Sequence, residues 1–239
     1  MLTHQQIVDD SPEEARIKLA YQMKKPAGHY SLFQAGNLFV IKERERLLLR
    51  RLKEHGCDSV AGKRLLEIGC GAGYWLRQFI QWGADPGDIT GIDLRPEVLS
   101  TAVPLCPPSV TLRCMNAAKL DFESESFDLV LQSLVFTSVL DQNMKQRIAQ
   151  EMLRVVKKTG LILWYDFHVN NPWNSNVRGV RRAEIERLFP NCRITLNRVS
   201  LALPIAKMLA PRSWLTCYIL DSLRLLNTHY LGVIEKGKL

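Results

Sequence analysis

The sequence has no long uncharged apolar run, and therefore no segment typical of a membrane-crossing helix, which needs about 20 mostly apolar residues. The stretch MLTHQQIVDDSPEEARIK does not show the basic-then-apolar layout of a secretion signal. The six cysteines form no CxxC pair and show no metal-ligand spacing, which indicates reduced thiols and predicts no bound metal. These absences together predict a cytoplasmic protein.

The sequence also lacks a concentrated basic patch. The formal net charge is +8, yet the basic residues are spread along the chain. In the densest group the basic residues alternate with Glu43, Glu45 and Glu54, which is typical of a solvated helix face. No run interleaves aromatic with basic residues as proteins that bind single-stranded nucleic acid do. We therefore expect no nucleic-acid partner.

The order of apolar segments predicts one α/β domain with additions at both ends. Residues 1–55 are predicted to form an N-terminal helical cap, in which Pro12 opens a first helix and a second runs from about Ser31 to Glu54. Residues 56–239 then alternate short apolar strands with helices. Strands separated by helices indicate a mostly parallel sheet covered on both faces.

The C-terminal part departs from this alternation. Two strand-like segments, RITLNRVSLAL and THYLGVIEK, flank a helical insertion predicted at about residues 205–227. A helix from about Pro211 carries a broad apolar face, made of Trp214, Leu215, Tyr218, Ile219, Leu223 and Leu226. Such a face is typical of core packing, and it would also suit a substrate lid or a surface in peripheral contact with a membrane.

The segment LLEIGCGAGYWLRQF carries the strongest functional signal. Gly69, Gly71 and Gly73 lie between a predicted strand and a predicted helix, where a ligand can approach the backbone because no Cβ intervenes. A dinucleotide fingerprint would need glycine or alanine at the position of Tyr74, which argues against NAD. Asp93, at the end of the next strand, could accept two hydrogen bonds from a ribose diol.

Five segments follow one another in a recognisable order, namely EIGCGAG, GIDL, NAA, SFDLV and RVVKKTGLILWYD. This order resembles the successive motifs of class I S-adenosylmethionine-dependent methyltransferases over about Lys63 to Asp166. The resemblance implies a doubly wound, seven-stranded α/β sheet of the Rossmann-like type, in which the last two strands form an antiparallel finish. It also implies that the cofactor is S-adenosylmethionine, which the reaction converts to S-adenosylhomocysteine.

The resemblance further implies which residues bind the cofactor. Glu67, Gly69, Cys70, Gly71 and Gly73 would line its methionine part, while Asp93 would hold the ribose and Leu94 would pack on the adenine.

Three other positions complete this predicted set. Asn116 stands where the family often has aspartate, and its amide oxygen can accept the same hydrogen bond from the adenine amino group. The backbone N–H of Ala117 could bind the cofactor whatever the side chain at this position. Gln132 matches a position that often meets the methionine end, although a polar residue at a strand end needs no such role.

The acceptor is expected at the carboxyl edge of the sheet, where open α/β sheets bind ligands. WYDFHVNNPW leaves the fifth predicted strand at this edge. His168 is the candidate general base because its ordinary pKa lies near neutrality, and Asp166, two residues earlier, would share its face and could orient it. The amides of Asn170 and Asn171 would suit a polyhydroxylated acceptor, or could bond neighbouring backbone.

The segment AGHYSLFQAGNLF could fold over the pocket, with His29, Tyr30, Phe33 and Asn37 as candidate substrate contacts; plain helix packing is the alternative. These features predict O-methylation of a small molecule, a glycan or a lipid-linked precursor, by orientation of the acceptor and with no metal. N- or C-methylation of a small molecule is the alternative. A catalytically silent module that binds the cofactor and acts through a partner is a further alternative.

Overall fold

The computed structural model describes residues 12–22, 31–172 and 174–237. The helices are α1 (Pro12–Gln22), α2 (Ala35–Glu54), α3 (Tyr74–Gln81), α4 (Pro96–Ala102), α5 (Gln142–Val155), α6 (Arg182–Leu188), α7 (Leu203–Leu209) and α8 (Trp214–Leu223). The strands are β1 (Leu65–Ile68), β2 (Ile89–Asp93), β3 (Thr111–Cys114), β4 (Phe127–Ser133), β5 (Val156–Phe167), β6 (Cys192–Leu201) and β7 (Asn227–Lys236).

The strands form one seven-stranded sheet in the order β3-β2-β1-β4-β5-β7-β6. Strands β1 to β5 are parallel, and β7 inserts antiparallel between β5 and β6. The predicted doubly wound sheet with an antiparallel finish is therefore confirmed. The chain runs outward from β1 to β3 and then returns to place β4 on the other side of β1. This reversal creates a crevice at the carboxyl ends of β1 and β4, where ligands bind in open α/β sheets.

Both faces of the sheet are buried, which explains the continuous apolar run LILWY in β5. Ile162 and Trp164 point to the face that is covered by α1, α5 and α6. Leu163 and Tyr165 point to the opposite face, where they share a core with α2, α3 and α4. Helix α2, which belongs to the predicted N-terminal cap, contributes its buried Leu48 and Leu52 to that core.

Two predicted boundaries were wrong by a few residues. The apolar spacing of MKQRIAQEMLRVVKK predicts a helix that ends at Gly160, but the helix ends at Val155, because the following residues join β5, where Val156 pairs with Phe127. The helix predicted from about Pro211 begins at Trp214, and a separate helix, α7, precedes it. Ser213 explains this start, since its side chain accepts a hydrogen bond from the Thr216 N–H at 3.1 Å and caps α8.

Candidate functional site

The glycine-rich loop after β1 has a backbone that favours glycine. Gly69, Gly71 and Gly73 have φ angles of +69°, +54° and +73°, which L-residues with a Cβ rarely adopt. A Cβ at Gly69 would lie 2.6 Å from the Cγ2 atom of Val135, whereas a Cβ at Gly71 would meet no atom within 4 Å. The loop therefore leaves open space at Gly71, where a ligand can approach the main chain.

Asp93 joins this loop to the end of β2. Its Oδ2 atom accepts a hydrogen bond from the Gly71 N–H at 3.0 Å. Its Oδ1 atom accepts from the Arg95 N–H at 3.0 Å and from the Arg95 Nε–H at 3.3 Å. The buried carboxylate thus fixes the loop at the carboxyl edge of the sheet, beside the crevice.

A cleft with a volume of about 100 Å³ opens at this edge. Five of the residues that were predicted to bind the cofactor line this cleft, namely Gly69, Asp93, Leu94, Asn116 and Ala117. The remaining predicted residues, namely Glu67, Cys70, Gly71, Gly73 and Gln132, do not line this cleft. Within the described ranges, no three His, Cys, Asp or Glu residues are grouped in a way that could hold a metal ion.

Two buried polar groups near the crevice between β1 and β4 lack a hydrogen-bond partner in the part of the chain that the structure describes. They are the Oε2 atom of Glu67 in β1 and the Nε2 atom of Gln132 at the end of β4. Burial raises the pKa of Glu67 well above its ordinary value, and the nearby charge of Asp93 adds to this effect. Buried polar groups are normally hydrogen-bonded, so these two atoms indicate that a polar ligand completes the site.

Helix α1 covers the cleft, which the sequence did not predict. Its Ile17 and Tyr21 line the cleft, and the Tyr21 hydroxyl lies 2.9 Å from the Oγ atom of Ser138. The Arg95 guanidinium lies over the Tyr21 ring, 4.0 Å from its centroid. Nothing in the local pattern of α1 identifies these partners, because both are distant in sequence.

The adenine-side candidate Asn116 is also held by α1. Its Nδ2 atom donates a hydrogen bond to the Glu14 carboxylate, and its Oδ1 atom accepts from the Ala118 N–H at 2.7 Å. A carbonyl oxygen has two lone pairs, so Oδ1 can still accept a second hydrogen bond from a ligand.

Asp166 is fully buried, and its carboxylate accepts from the Thr137 N–H at 3.1 Å and from the Phe167 N–H at 2.9 Å. Burial raises the pKa of Asp166 to about 7. Its observed partners do not include the ring of His168, contrary to the prediction that it orients that residue. The carboxylate instead satisfies a backbone N–H in the loop between β4 and α5, because that N–H lies within its reach.

His168 is half-buried beside the start of β7. Its Nε2 atom lies 2.9 Å from the carbonyl oxygen of Asn227, and its ring centroid lies 4.6 Å from that of Tyr230. Since a carbonyl can only accept, Nε2 carries the proton, and Nδ1 keeps its lone pair in the neutral ring. Burial lowers the pKa of His168, which favours the neutral form. The residue does not line the cleft.

The candidate acceptor contacts lie in two places. Asn170 and Asn171 line a surface depression with Leu140, Asn174, Ser175, Val177 and Arg178, and the Asn170 Oδ1 atom accepts from the Gly179 N–H at 3.0 Å. At the start of α2, Asn37 is buried and donates to the Ser31 carbonyl at 2.9 Å, whereas Phe33 is fully exposed. His29 and Tyr30 lie outside the described residues.

Comparison with known proteins supports the class that the site indicates. Residues 66–164 match the family model for a methyltransferase domain. The crystal structure of an S-adenosylmethionine-dependent methyltransferase from Mesorhizobium loti aligns with a TM-score of 0.58 over 80% of this chain and 95% of that chain, at 17% identity. At this identity the likeness establishes the fold, which is the class I methyltransferase fold.

Two curated relatives carry the similarity at the level of sequence. The tRNA N(3)-cytidine methyltransferase of Gallus gallus is 29% identical over 134 residues, which are 52% of this chain and 36% of that protein. The phosphatidylethanolamine N-methyltransferase of Cereibacter sphaeroides is 35% identical over 110 residues, 44% of this chain and 51% of that protein. The chain thus spans about a third to a half of the length of these relatives. Residues 66–164 thus form a methyltransferase domain, and the chain has the class I S-adenosylmethionine-dependent methyltransferase fold.

Proposed function

We propose that the protein transfers a methyl group from S-adenosylmethionine to an oxygen atom of a small or lipid-linked acceptor. The observation that carries the proposal is the open glycine loop at Gly71, tied by its N–H to the buried carboxylate of Asp93. The relatives differ in acceptor, since one is named for a tRNA cytidine and the other for phosphatidylethanolamine. A lipid acceptor agrees better than an RNA acceptor with this chain, because its basic residues are spread along the sequence and form no concentrated patch for RNA.

The residues present fit the proposed cofactor. Asp93 can accept hydrogen bonds from ribose hydroxyls, and the apolar walls of the cleft, which include Ile92 and Leu94, suit an adenine ring. The unpartnered oxygen of Glu67 offers an acceptor for an amino group. When bound, S-adenosylmethionine supplies an electrophilic methyl group on a positively charged sulfur. Helix α1 contributes Ile17 and Tyr21 to the wall of the cleft.

On the acceptor side, His168 is the proposed base. The Asn227 carbonyl fixes its proton on Nε2, which leaves Nδ1 able to take a proton from an acceptor hydroxyl. Asp166 is better described as a positioning residue. It holds the Thr137 N–H, and the same loop supplies Leu134, Val135 and Ser138 to the wall of the cleft.

The proposal can be tested with S-adenosylmethionine that carries a labelled methyl group. We expect the purified protein to transfer label to the solvent-extractable lipid fraction of a cell extract, and mass spectrometry of the product should place the methyl on oxygen. The aqueous metabolite fraction and the RNA fraction serve as parallel acceptors. Label found only in RNA would contradict the proposal, as would cofactor binding without transfer to any fraction.

Substituting the base provides a second test. His168→Gln keeps an N–H that can donate to the Asn227 carbonyl but removes the basic nitrogen, so we expect turnover to fall by about 10²- to 10⁴-fold. Affinity for S-adenosylmethionine should stay within about twofold, because His168 does not line the cofactor cleft. Turnover of the wild type should decrease as the pH falls through the lowered pKa of His168, since protonation removes the base. His55→Gln, at a ring that faces Glu235 instead, is the matched control.

Two results would separate the alternatives in this experiment. Wild-type turnover in His168→Gln would remove His168 as the base and would favour a nitrogen acceptor, which can react once it is neutral. A parallel loss of cofactor affinity would show that the substitution disturbs the fold, and His168→Asn would then be measured in its place.

A further inference from the structure

The insertion between β6 and β7 exposes a large apolar surface. It combines α7, α8 and the turn before α2, and we call it the apolar platform. Ten of the fifteen large apolar residues that are exposed in the described chain belong to it: Leu32, Phe33, Met208, Trp214, Leu215, Tyr218, Ile219, Leu223, Leu225 and Leu226. Of the residues of α8, only Cys217 and Asp221 are buried. Exposed apolar patches of this size mark interaction sites in soluble domains.

The platform is an ordered part of the fold. Gly36 of α2 packs so closely on α7 that a Cβ there would lie 2.5 Å from the Cα atom of Lys207. The rings of Phe39 and Trp214 meet edge to face with centroids 5.5 Å apart. The carboxylate of Asp221 accepts from the Leu201 N–H at 2.8 Å and ties α8 to the end of β6. These contacts hold the apolar side chains outward on a fixed base.

The platform lies on the functional edge of the sheet. Strand β6 ends at Leu201, which pairs with Asn227 at the start of β7. Phe167, at the carboxyl end of β5, pairs with His229 of the same strand. Because β7 runs antiparallel to β5, the insertion leaves the sheet at the edge where the parallel strands end and the cofactor cleft opens. An acceptor held at the platform would therefore lie at the same edge of the sheet as the cofactor cleft.

The insertion that carries the platform has an excess of basic charge, and the acid that lies beside it on α2, Glu43, is paired with Arg46 at 2.7 Å. Residues 202–226 contain Lys207, Arg212 and Arg224, and the single acid among them, Asp221, is buried in the contact with Leu201. The neighbouring Arg46 lies over the Tyr218 ring at 5.6 Å from its centroid. An apolar surface with aromatic residues and a basic rim is complementary to the boundary between lipid headgroups and acyl chains.

We propose that the apolar platform docks on the surface of a bilayer that contains anionic lipid. Leu215, Ile219 and Phe33 enter the headgroup boundary, and Arg212 and Arg224 contact lipid phosphates. Within the described ranges no helix has the length and apolarity needed to cross a bilayer, so the contact is peripheral. The inference deepens the proposed function, because it brings a lipid-linked acceptor to the edge that holds the cofactor cleft.

A second copy of the chain is the competing occupant. In a two-fold contact the same patch meets itself, so the basic rim would face another basic rim. No exposed acid in residues 202–226 could compensate this repulsion. The charge pattern therefore favours anionic lipid over self-association.

The test is co-sedimentation of the full chain with vesicles, in the absence of cofactor and acceptor. We expect the protein to bind vesicles of phosphatidylcholine that contain about 30% phosphatidylglycerol, an anionic lipid. Binding to vesicles of phosphatidylcholine alone should be at least about tenfold weaker. Leu215→Gln with Ile219→Gln should weaken binding about tenfold or more. Val103→Gln with Leu105→Gln is the matched control, because these residues are 47% and 51% exposed against 69% and 52% for the platform pair. The control should bind like the wild type.

Several outcomes would overturn the inference. The first is that the wild type stays in the supernatant with both vesicle types. The second is that it binds neutral and anionic vesicles equally. The third is that the platform variant and the control bind equally. A concentration-dependent dimer in sedimentation velocity that the platform substitutions abolish, without vesicle binding, would assign the surface to a second copy. Because no methyl transfer is measured, failure here is distinguishable from failure of the proposed activity.

Discussion

Asp93→Ala is expected to weaken S-adenosylmethionine binding by about ten- to a hundredfold, measured by titration calorimetry. The substitution removes the carboxylate that can accept hydrogen bonds from the ribose hydroxyls, and a hydrogen bond to a charged group contributes about 1.5–3 kcal/mol. About 1.4 kcal/mol corresponds to a factor of ten in affinity. The carboxylate is already placed at the edge of the cleft by its bonds to Gly71 and Arg95, so little reorganisation should accompany binding.

The same bonds require a control, because Asp93→Ala also releases the Gly71 N–H. Asp93→Asn retains one oxygen that can accept from that N–H, and its affinity should fall between those of the wild type and the alanine variant. Asp58→Ala removes an exposed carboxylate outside the cleft and should bind like the wild type. Each variant is compared by thermal unfolding. Unchanged affinity in folded Asp93→Ala would disprove the ribose assignment.

The part of the site that could be predicted from sequence is the part that local chemistry determines. A strand followed by closely spaced glycines must turn sharply, and φ angles between +54° and +73° at Gly69, Gly71 and Gly73 agree with that requirement. Asp93 ends the neighbouring strand, and parallel strands place their carboxyl ends at one edge, so its proximity to the loop follows from topology.

The covering of the cleft could not be predicted, because it depends on contacts between distant segments. The pairing of Tyr21 with Ser138 and Arg95 requires α1 to cross the edge of the sheet, and the apolar spacing within α1 specifies only that one face is buried. Asp166 shows the same limit. Its position on β5 was predictable, but the backbone N–H of Thr137 that it binds belongs to another loop.

The insertion could be predicted from the broad apolar face of its helix. The sequence did not decide whether that face packs in the core, forms a substrate lid or contacts a membrane. Composition cannot decide among these, because a leucine has the same sequence signal whether it is buried or exposed. The narrow buried strip of Cys217 and Asp221 settles that most of α8 is not core. The position of β7 beside β5 then fixes the edge of the sheet from which the insertion emerges.

Gly71→Ala is expected to weaken S-adenosylmethionine binding by about tenfold or more, a loss of the size that an added methyl group causes in a filled site. A Cβ at Gly71 would occupy the open space of the loop, where it meets no protein atom within 4 Å and would meet only a ligand. Its φ of +54° adds a strain of about 1–2 kcal/mol to the folded state, which should appear as a lower midpoint of thermal unfolding.

Gly62 provides the matched control for this prediction. Its φ is +67°, and a Cβ there would also meet no atom within 4 Å, but it lies before β1, at the opposite end of that strand from the glycine-rich loop. Gly62→Ala and Gly71→Ala should therefore lose similar stability in thermal unfolding, while calorimetry should show lower cofactor affinity only for Gly71→Ala. Equal affinities in the two variants would mean that no ligand occupies the space at Gly71. Lower affinity in both would mean that backbone strain, and not the filled space, controls binding.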